Sequence, residues 1–359
     1  MHKLDLSIGE TKLTNKQLQS INSNINYFDS YPHEIKANKI KILHILKKNL
    51  LIKHINTSNL CFTLGNREGL YSSFTAILHP QKKYVILLIP YYQIYKKLAI
   101  LTKKKIIFIK QTQVLTQLKR LNTKILKQIN CIFICNPNNF NGNTFNKQQL
   151  LKLITILKKY NIFTIYDNCY SEITNNSINI CSLTNKTKYK NLIHLLSVSK
   201  RSCAPGLRAG ILIAKNSLIT KINHFKLITG THLSCRNQIL NTILWQNNSI
   251  KNYLITKTNK LKIYCKKIAY KYKLPISSNG FYLTINTATP QTTHRIINKL
   301  NINNIKVCTS EIFGIKNHIR VALIAKIATC KTAIKTIAKI ITHEKYKNIK
   351  KNNKKPRQR

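Results

Sequence analysis

A lysine, a hydroxyl residue and an arginine share one short segment, which reads Ser197-Val-Ser-Lys200-Arg-Ser-Cys-Ala-Pro-Gly-Leu-Arg208-Ala-Gly210. It lies between two apolar runs, which places Lys200 at the mouth of a predicted sheet, where α/β proteins bind ligands. A lysine after a strand is usually a solvated loop residue, but the presence of Ser197 and Arg208 in the same segment favours a role in ligand binding and catalysis. The amine can condense with an aldehyde while Arg208 and Ser197 hold a phosphate, so the segment suits a phosphorylated aldehyde.

A carboxylate follows another apolar run, in the segment Tyr166-Asp167-Asn-Cys-Tyr170. Taken alone, Asp167 is best interpreted as the cap of a turn. Beside a lysine that binds such an aldehyde it has a specific use, because a carboxylate against a pyridine nitrogen keeps that nitrogen protonated. Tyr170 can donate a hydrogen bond to the phenolic oxygen of the same ring.

A third polar segment, Asn136-Pro-Asn-Asn139-Phe-Asn-Gly142, follows the apolar run Cys131–Cys135 directly. Asn, Pro and Gly together are first of all a turn signal. The position of this turn after a strand predicts that it shares one edge of the sheet with Asp167 and Lys200.

The elements that must position these side chains alternate between apolar runs and longer amphipathic stretches. Runs that are almost unbroken by polar residues are typical of strands buried on both faces, and hence of a mostly parallel sheet covered by helices. After about residue 230 a long helical region, 236–272, gives way to mixed strands and helices. We therefore predict an α/β fold with a mostly parallel seven-stranded sheet and a smaller α+β C-terminal domain. The predicted strands of the sheet are 60–64, 84–89, 106–109, 131–135, 163–166, 192–197 and 210–214.

The composition bounds the class of protein. A formal net charge of +52 would suit nucleic-acid binding, but the lysines are spread along the whole chain with the over-used Ile and Asn, which favours compositional drift. We expect no specific nucleic-acid partner. The 10 cysteines form no zinc-ligand pattern, so buried free thiols and no metal site are expected. The start lacks a signal peptide and no apolar run approaches a membrane span, so we expect a cytoplasmic protein without a membrane partner.

At these motifs the chain resembles the class I, fold-type-I aminotransferases, which depend on pyridoxal 5'-phosphate. The resemblance runs from about residue 6 to about residue 341 and is greatest to the succinyldiaminopimelate aminotransferase subfamily. The segments that carry this finer likeness are Leu6–Glu10, Asn66–Glu68, Tyr92–Tyr95, Cys169–Ile173 and Ser199–Ser202.

The resemblance implies a role for each residue around the cofactor ring. Lys200 would bind the cofactor aldehyde and move a proton, and Asp167 would pair with the pyridine nitrogen. Tyr170 and Asn139 would contact the phenolic oxygen. Tyr92 would stack on the ring.

The resemblance also implies a phosphate site and a homodimer. Ser197 and Arg208 would bind the phosphate, together with the backbone N–H groups of Gly65-Asn66-Arg67 at a helix start. Tyr31 of the partner subunit would reach the same phosphate. The implied division is an N-terminal segment, 1–35, joining the small domain and the dimer interface, a large domain, 36–245, a small domain, 246–343, and a disordered basic tail, 344–359.

For the substrate, an amino acid or a 2-oxo acid, the resemblance implies that Arg320 grips the α-carboxylate with two prongs and that Gly9 lies nearby. The activity implied is transamination between glutamate and N-succinyl-2-amino-6-oxopimelate in lysine biosynthesis. Aspartate or another class I amino acid is the alternative substrate. Arg67 and Arg201 are candidates for the distal part of the substrate, although surface arginines are commonly only solvated.

Two matters stay open on the sequence alone. Relatives carry Pro where this chain has Phe140, and the peptide bond before that proline is often cis. A cis bond before a non-proline residue costs about 2.5–4 kcal/mol. The Asn139–Phe140 bond is therefore either trans or strained. A lyase or decarboxylase on the same fold would share the lysine, the aspartate and the phosphate site. Arg320 favours transamination, since two successive acids must be held by one carboxylate clamp.

Overall fold

The computed structural model describes residues 4–5, 32–52, 54–174, 178–187 and 189–352. These residues fall into two units. The first contains residues 32–139 and Asn143–Tyr253, and the second contains the strand β1 (Leu4–Asp5), the segment Phe140–Gly142 and the chain from Leu254 onward. The four-part division predicted from the sequence stays a prediction.

The first unit contains a seven-stranded sheet. Its strands are β2 (Leu60–Thr63), β3 (Tyr84–Ile89), β4 (Lys105–Lys110), β5 (Ile129–Cys135), β6 (Phe163–Asp167), β7 (Leu192–Ser197) and β8 (Gly210–Ile213). Their spatial order is β2-β8-β7-β6-β5-β3-β4. The strands from β7 to β4 are parallel neighbours, and β8 runs antiparallel to both β7 and β2. The predicted α/β fold with a mostly parallel seven-stranded sheet is confirmed.

The central strands are buried along their whole length, which explains why their sequences do not alternate between apolar and polar residues. Every residue of β5 and of β7 is buried, as expected for strands covered by helices on both faces. Cys131 and Cys135 lie in β5 as buried free thiols, as predicted. The edge strand β4 instead begins and ends with an exposed lysine, and charged ends discourage pairing with another chain.

Helices connect the strands of this unit. They are α1 (Lys36–Asn49), α2 (Asn66–Ala76), α3 (Gln93–Leu101), α4 (Val114–Arg120), α5 (Thr123–Lys127), α6 (Lys147–Lys159), α7 (Cys181–Thr187), α8 (Val198–Arg201), α9 (Asn216–Thr229) and α10 (Cys235–Gln246). Across the ranges that the structure describes, no helix of the chain combines the length and the apolarity needed to cross a bilayer.

The C-terminal part of the second unit begins within α11 (Ser249–Lys271). Its further elements are β9 (Ile276–Asn279), β10 (Tyr282–Asn286), α12 (Pro290–Ile302), β11 (Ile305–Lys306), β12 (Cys308–Thr309), β13 (His318–Ala322) and α13 (Ile327–Asn352). Four of these strands form an antiparallel sheet in the order β12-β13-β10-β9. A separate apolar core that includes Leu283, Ile319 and Ile337 lies between sheet and helices. The short strand β1 pairs in parallel with β11. This unit confirms the predicted smaller α+β part.

Two predicted elements differ from the structure. The long helical region 236–272 is two helices, because α10 ends at Gln246 and the side chain of Asn247 accepts a hydrogen bond from the backbone N–H of Ser249, the first residue of α11. Asn favours such local bonds over a continuous helix. The sequence predicts a disordered tail over 344–359, whereas α13 continues to Asn352. Lysine is a good helix former, so a basic stretch can extend a packed helix. Residues 353–359 lie outside the described chain.

Candidate active site

Polar residues predicted to carry chemistry follow the carboxyl ends of neighbouring parallel strands. Asp167 ends β6 and Ser197 ends β7, while Asn139 follows β5 by four residues. The register pairs Asp167 with Cys135 on one side and with Leu195 on the other. Because parallel strands end at the same edge of a sheet, this register brings the three segments to one edge, as the sequence predicted.

The carboxylate of Asp167 is buried and accepts hydrogen bonds from several groups, among them the side chain and backbone of Cys169 and one further side chain on each oxygen. Nδ2 of Asn66 donates to Oδ1 at 2.7 Å, and the hydroxyl of Tyr95 donates to Oδ2 at 3.0 Å. Burial raises the pKa of Asp167, and these hydrogen bonds oppose the rise because they favour the ionised form. The result is a carboxylate of fixed orientation, 3% exposed, that a cationic partner would stabilise.

Two thiols lie beside this carboxylate. The sulfur atoms of Cys135 and Cys169 and a carboxylate oxygen of Asp167 all lie within 4.8 Å of one another. Such atoms can hold a metal ion, but both oxygens of Asp167 already accept hydrogen bonds. Burial raises the pKa of the Cys169 thiol far above its usual range, which keeps the thiol neutral. The ammonium of Lys200 opposes that rise, so Lys200 lies within electrostatic reach of this cluster.

Asn139 and Tyr170 are in direct contact. Nδ2 of Asn139 donates to the hydroxyl of Tyr170 at 2.6 Å, and both side chains are buried. The turn before them is anchored by Asn136, whose Nδ2 donates to the hydroxyl of Tyr166 at 2.6 Å. Among the described residues the cis peptide bonds are Ile89–Pro90 and Asn136–Pro137, so the Asn139–Phe140 bond is trans. The trans bond still allows Asn139 to reach Tyr170.

Ser197 and Lys200 lie on the turn that follows β7. The hydroxyl of Ser197 caps α8, accepting from the backbone N–H of Ser199 at 3.1 Å, and lies 3.3 Å from the carbonyl of Ala209. Lys200 lies in the last turn of this four-residue helix and is half-buried. The cap therefore fixes the backbone from which the lysine side chain extends.

Arg208 lies against the start of α2. Its backbone is in the left-handed region, with φ 52°, and its guanidinium donates to the carbonyls of Pro205 at 3.0 Å and Leu64 at 3.3 Å. Gly65, with φ 77°, precedes α2, and a Cβ built there would lie only 3.0 Å from Nη2 of Arg208. The absence of a side chain at Gly65 thus lets the guanidinium approach the free N–H groups of the helix, which together form a cationic cradle for an anion.

A buried ion pair holds this cradle in place. Nζ of Lys226, on α9, donates to Oε2 of Glu68 at 2.9 Å, and the backbone N–H of Leu64 donates to the same oxygen at 2.9 Å. The other carboxylate oxygen accepts from Ser72. Glu68 therefore ties the turn before Gly65 to two helices. Glu68 and Lys226 are 158 residues apart, so their pairing leaves no local signal in the sequence.

Arg67 and Tyr92 form a second, more exposed pair. Nε of Arg67 donates to the hydroxyl of Tyr92 at 2.9 Å. The ring of Tyr92 meets the ring of Tyr95 edge to face, with centroids 5.6 Å apart. The aromatic residue predicted to stack on a ring ligand is thus linked through Tyr95 to Asp167.

Arg320 lies on β13 in the second unit and is buried. Its guanidinium carbon is 4.2 Å from the ring centroid of Tyr282 and 4.6 Å from that of Phe313. Two aromatic rings restrict the guanidinium to a narrow range of orientations, and such cation–π contacts are worth about 0.5–2 kcal/mol each. A guanidinium fixed in this way is suited to two-pronged contact with an anion.

Arg201 does not face a ligand, contrary to the suggestion that it could hold the distal part of a substrate. It is 2% exposed, and its Nε donates to Oε2 of Glu172 at 2.5 Å. Its terminal nitrogens donate to the carbonyls of Leu244 at 2.6 Å and Trp245 at 3.1 Å. The side chain therefore satisfies the last carbonyls of α10, which a helix leaves without partners.

Tyr31 and Gly9 lie outside the described residues, so their predicted roles stay predictions. Tyr95 is the residue at this edge that sequence reasoning missed. Tyr92 and Tyr95 are three residues apart at the start of α3, a spacing that puts both side chains on one face of a helix. That spacing was the signal available in the sequence.

The residues of the first unit fit the cofactor implied by the sequence. The cradle of Arg208 and the start of α2 suits a phosphate, and the buried carboxylate of Asp167 suits a ring nitrogen that is protonated. Ser197 and the hydroxyl of Tyr170 add neutral polar contacts. Lys200 supplies an amine within electrostatic reach of Cys169, the thiol beside Asp167. The donor set therefore matches pyridoxal phosphate in charge and chemistry.

Comparison with known proteins agrees with these features. A family model described as aminotransferase class I and II matches residues 2–337. Histidinol-phosphate aminotransferase of Buchnera aphidicola subsp. Acyrthosiphon pisum is 28% identical over 228 residues. That alignment covers 57% of this chain and 60% of the relative, so the chain matches less than two thirds of the relative's length.

Solved structures share the fold. An aminotransferase from Neisseria meningitidis has a TM-score of 0.83 at 21% identity, covering 95% of this chain and 92% of that one. A probable N-succinyldiaminopimelate aminotransferase from Thermus thermophilus has a TM-score of 0.81 at 16% identity, covering 94% of this chain and 96% of that one. At such identities the likeness is one of fold.

Proposed function

The chain belongs to the class I and II aminotransferases, a family that depends on pyridoxal phosphate, and we propose that it transfers amino groups between amino acids and 2-oxo acids. The observation that supports this best is the buried, hydrogen-bonded carboxylate of Asp167 at the same sheet edge as Lys200. A carboxylate buried in this way is stabilised by a protonated ring nitrogen, so it is suited to this cofactor.

Each residue at this edge of the sheet would have its own role in binding the cofactor and in catalysis. When bound, pyridoxal phosphate supplies an electron sink for the substrate carbon that loses a proton. Asp167 would hold the ring nitrogen in its protonated form, and the hydroxyl of Tyr170, itself held by Asn139, would contact the phenolic oxygen. Tyr92 would cover a ring face. Nζ of Lys200 would bind the cofactor and carry a proton at the substrate carbon.

The phosphate would lie in the cradle of Arg208, Ser197 and the backbone N–H groups at the start of α2. Arg208 can make paired, charge-assisted hydrogen bonds to phosphate oxygens. We further propose a homodimer, in which Tyr31 of the partner subunit completes the phosphate site. Sedimentation with and without cofactor, for the wild type and for Tyr31→Phe, tests this proposal, which a cofactor-saturated monomer with full activity would contradict.

Arg320 would hold the substrate anion. In transamination an amino acid and then a 2-oxo acid must be bound by the same group, and a guanidinium held between Tyr282 and Phe313 can serve both. This supports transamination over decarboxylation or elimination on the same fold. Gly9 would lie near the substrate, and Arg67, which is exposed beside Tyr92, is a candidate contact for its distal part.

For the substrate we propose glutamate and N-succinyl-2-amino-6-oxopimelate. The segments Tyr92–Tyr95 and Ser199–Ser202 support this choice, together with the fold shared with the probable N-succinyldiaminopimelate aminotransferase. Histidinol phosphate is the second candidate, favoured by the relative that is 28% identical over 228 residues. A guanidinium binds a carboxylate or a phosphate equally well in geometry, so Arg320 is compatible with both. Aspartate is a third, shorter substrate.

The first experiment tests the reaction. Purified wild type should show the absorbance of lysine-bound pyridoxal phosphate and convert 2-oxoglutarate to glutamate with an amino donor. Lys200→Ala should lose both while keeping its circular dichroism spectrum, and the exposed Lys124→Ala should keep both. Release of carbon dioxide or ammonia in place of a 2-oxo acid would instead identify a decarboxylase or a lyase.

The second experiment ranks the substrates. Steady-state kcat/KM is measured for N-succinyl-diaminopimelate, histidinol phosphate and aspartate, each with 2-oxoglutarate as acceptor. The proposal requires the succinylated substrate to have the highest value. A higher value for either of the others would overturn the proposed substrate and leave transamination standing.

A further inference from the structure

Phe140 stands directly after Asn139, where the family resemblance leads one to expect proline. Its ring is buried against the ring of Phe313, with centroids 5.0 Å apart and planes inclined at 48°. It also meets the ring of His318 edge to face at 6.2 Å. These residues all belong to the second unit, with which Phe140–Gly142 is grouped.

Phe313 in turn contacts Arg320. The guanidinium carbon of Arg320 lies 4.6 Å from the centroid of Phe313. His318 and Arg320 are two residues apart on β13, so their side chains point to the same face of the strand. Phe140 therefore contacts one residue on this face directly and reaches the other through a single aromatic ring.

This arrangement restricts the orientation of Arg320. A guanidinium that makes a two-pronged contact with an anion must keep its plane fixed, and a freely rotating arginine side chain loses rotamer freedom in doing so. The faces of Tyr282 and Phe313 limit that freedom before the ligand arrives. Phe313 can restrict the guanidinium only if its own ring is fixed, and the ring of Phe140 packs against it. A proline at position 140 has no aromatic ring with which to hold it.

We propose that Phe140 is a positioning residue for Arg320, which acts through Phe313 to fix the guanidinium for the anionic group of the substrate. The inference rests on the proposed role of Arg320. It predicts that Phe140 sets the affinity for the substrate anion, and therefore KM, more than it sets kcat. It also predicts that replacing Phe140 does not change the affinity for the anion in a protein whose Arg320 has been replaced by lysine.

The test is a double-mutant cycle on the cofactor-loaded protein. The variants are Phe140→Leu, Phe140→Ala, Phe140→Tyr, Arg320→Lys and Phe140→Leu combined with Arg320→Lys. The probe is glutarate, a dicarboxylate without an amino group, whose Kd is measured by calorimetry. The matched control is Phe108→Leu, since Phe108 lies on β4 and is 44% exposed. Cofactor affinity, measured by absorbance titration, separates effects on Asn139 from effects on Arg320.

Phe140→Leu should raise the Kd of glutarate about tenfold, or about 1.4 kcal/mol, with cofactor affinity unchanged. In the Arg320→Lys background the same change should have no effect, whereas Phe140→Tyr, which keeps the ring, should bind as the wild type does. Phe140→Leu tests the idea even if Phe140→Ala does not fold. Wild-type binding by Phe140→Leu, or an equal effect in both backgrounds, would overturn the inference. If Arg320→Lys itself leaves glutarate binding unchanged, it is the proposed role of Arg320 that fails.

Discussion

The hydroxyl of Tyr95 donates a hydrogen bond to Oδ2 of Asp167 at 3.0 Å, and both side chains are buried. The ring of Tyr95 also stacks on Phe133 of β5, with centroids 4.9 Å apart. Helix α3 is thereby fixed to the sheet at the point where the carboxylate emerges. Tyr95 is a positioning residue, because it acts on the proposed cofactor site through Asp167.

Tyr95→Phe should lower turnover at least tenfold. The change removes one of the side-chain donors to a buried carboxylate, and a hydrogen bond to a charged group is worth about 1.5–3 kcal/mol. Burial already raises the pKa of Asp167 and the Tyr95 hydrogen bond counteracts that rise, so the variant should have a still higher pKa. The acidic limb of the kcat profile should therefore move to higher pH.

The matched control is Tyr253→Phe, because Tyr253 is 52% exposed. This control also removes a tyrosine hydroxyl, but one at the surface, and it should leave the pH profile of kcat unchanged. A Tyr95→Phe enzyme with the wild-type acidic limb would show that the hydroxyl does not act on the ionisation of Asp167.

The positions of Lys200, Asp167 and Asn139 in the fold could be predicted from the sequence, because each lies at or just after the end of a buried strand, and such strands are conspicuous as unbroken apolar runs. The residues that contact them could not be located from the sequence. Tyr95 lies 72 residues from Asp167, and which way it points depends on how α3 packs on the sheet. Arg201 is adjacent to Lys200 in a four-residue helix, and only the packing of α10 decides that it turns inward.

Gly65→Ala should weaken cofactor binding at least tenfold. Gly65 has φ 77° and ψ 175°, a conformation that is almost confined to glycine, so a side chain there costs about 1–3 kcal/mol in strain. The added Cβ would also lie 3.0 Å from Nη2 of Arg208 and displace the guanidinium from the start of α2. Equilibrium titration of the apoprotein with pyridoxal phosphate measures the loss.

Gly230→Ala separates strain from displacement. Gly230 also has a positive φ, of 62°, but a Cβ there would meet nothing within 4 Å. This variant should lose some stability to urea and keep its cofactor affinity. Equal losses of affinity in the two variants would mean that strain alone weakens binding and that Arg208 has no part in it.

Arg201→Ala should destabilise the fold without changing substrate binding by the molecules that remain folded. The change leaves the buried carboxylate of Glu172 with Lys251, at 3.5 Å, as its remaining ion-pair partner among the described residues, and it removes the Arg201 donors from the carbonyls of Leu244 and Trp245. Removing one partner of a buried ion pair costs about 3–5 kcal/mol. Urea unfolding gives the loss of stability, and KM for the amino-acid substrate gives the second quantity.

Arg67→Ala is the complementary variant, because Arg67 is exposed and donates only to Tyr92 among the hydrogen bonds described for it. It should raise KM for a long, anionic substrate and leave the urea midpoint nearly unchanged. If Arg201→Ala raised KM with unaltered stability, the buried position of Arg201 would be the wrong explanation of its role.

His194 gives the fold a dependence on pH that is independent of the proposed reaction. It is fully buried in β7, where its Nε2 lies 2.9 Å from Nδ2 of Asn168 and its Nδ1 lies 2.9 Å from the sulfur of Cys181. Burial lowers the pKa of His194 to about 3 and raises that of the Cys181 thiol, so both groups are neutral in the folded protein. Neither neighbour supplies a negative charge that would stabilise an imidazolium.

The consequence for stability follows from proton linkage. An unfolded histidine takes up a proton as the pH falls through about 6.5, whereas folded His194 does not until about pH 3. The unfolded state therefore binds more protons between these values, and stability falls as the pH falls. From pH 7 to pH 5 this one group should cost about 2 kcal/mol. Urea unfolding of the wild type and of His194→Gln at both pH values measures it, with the exposed His44→Gln as control. The difference between the two pH values should shrink by about that amount in His194→Gln alone, even if the variant is less stable throughout. An unchanged difference would mean that His194 is already protonated in the folded protein, which the neutral thiol and amide around it do not favour.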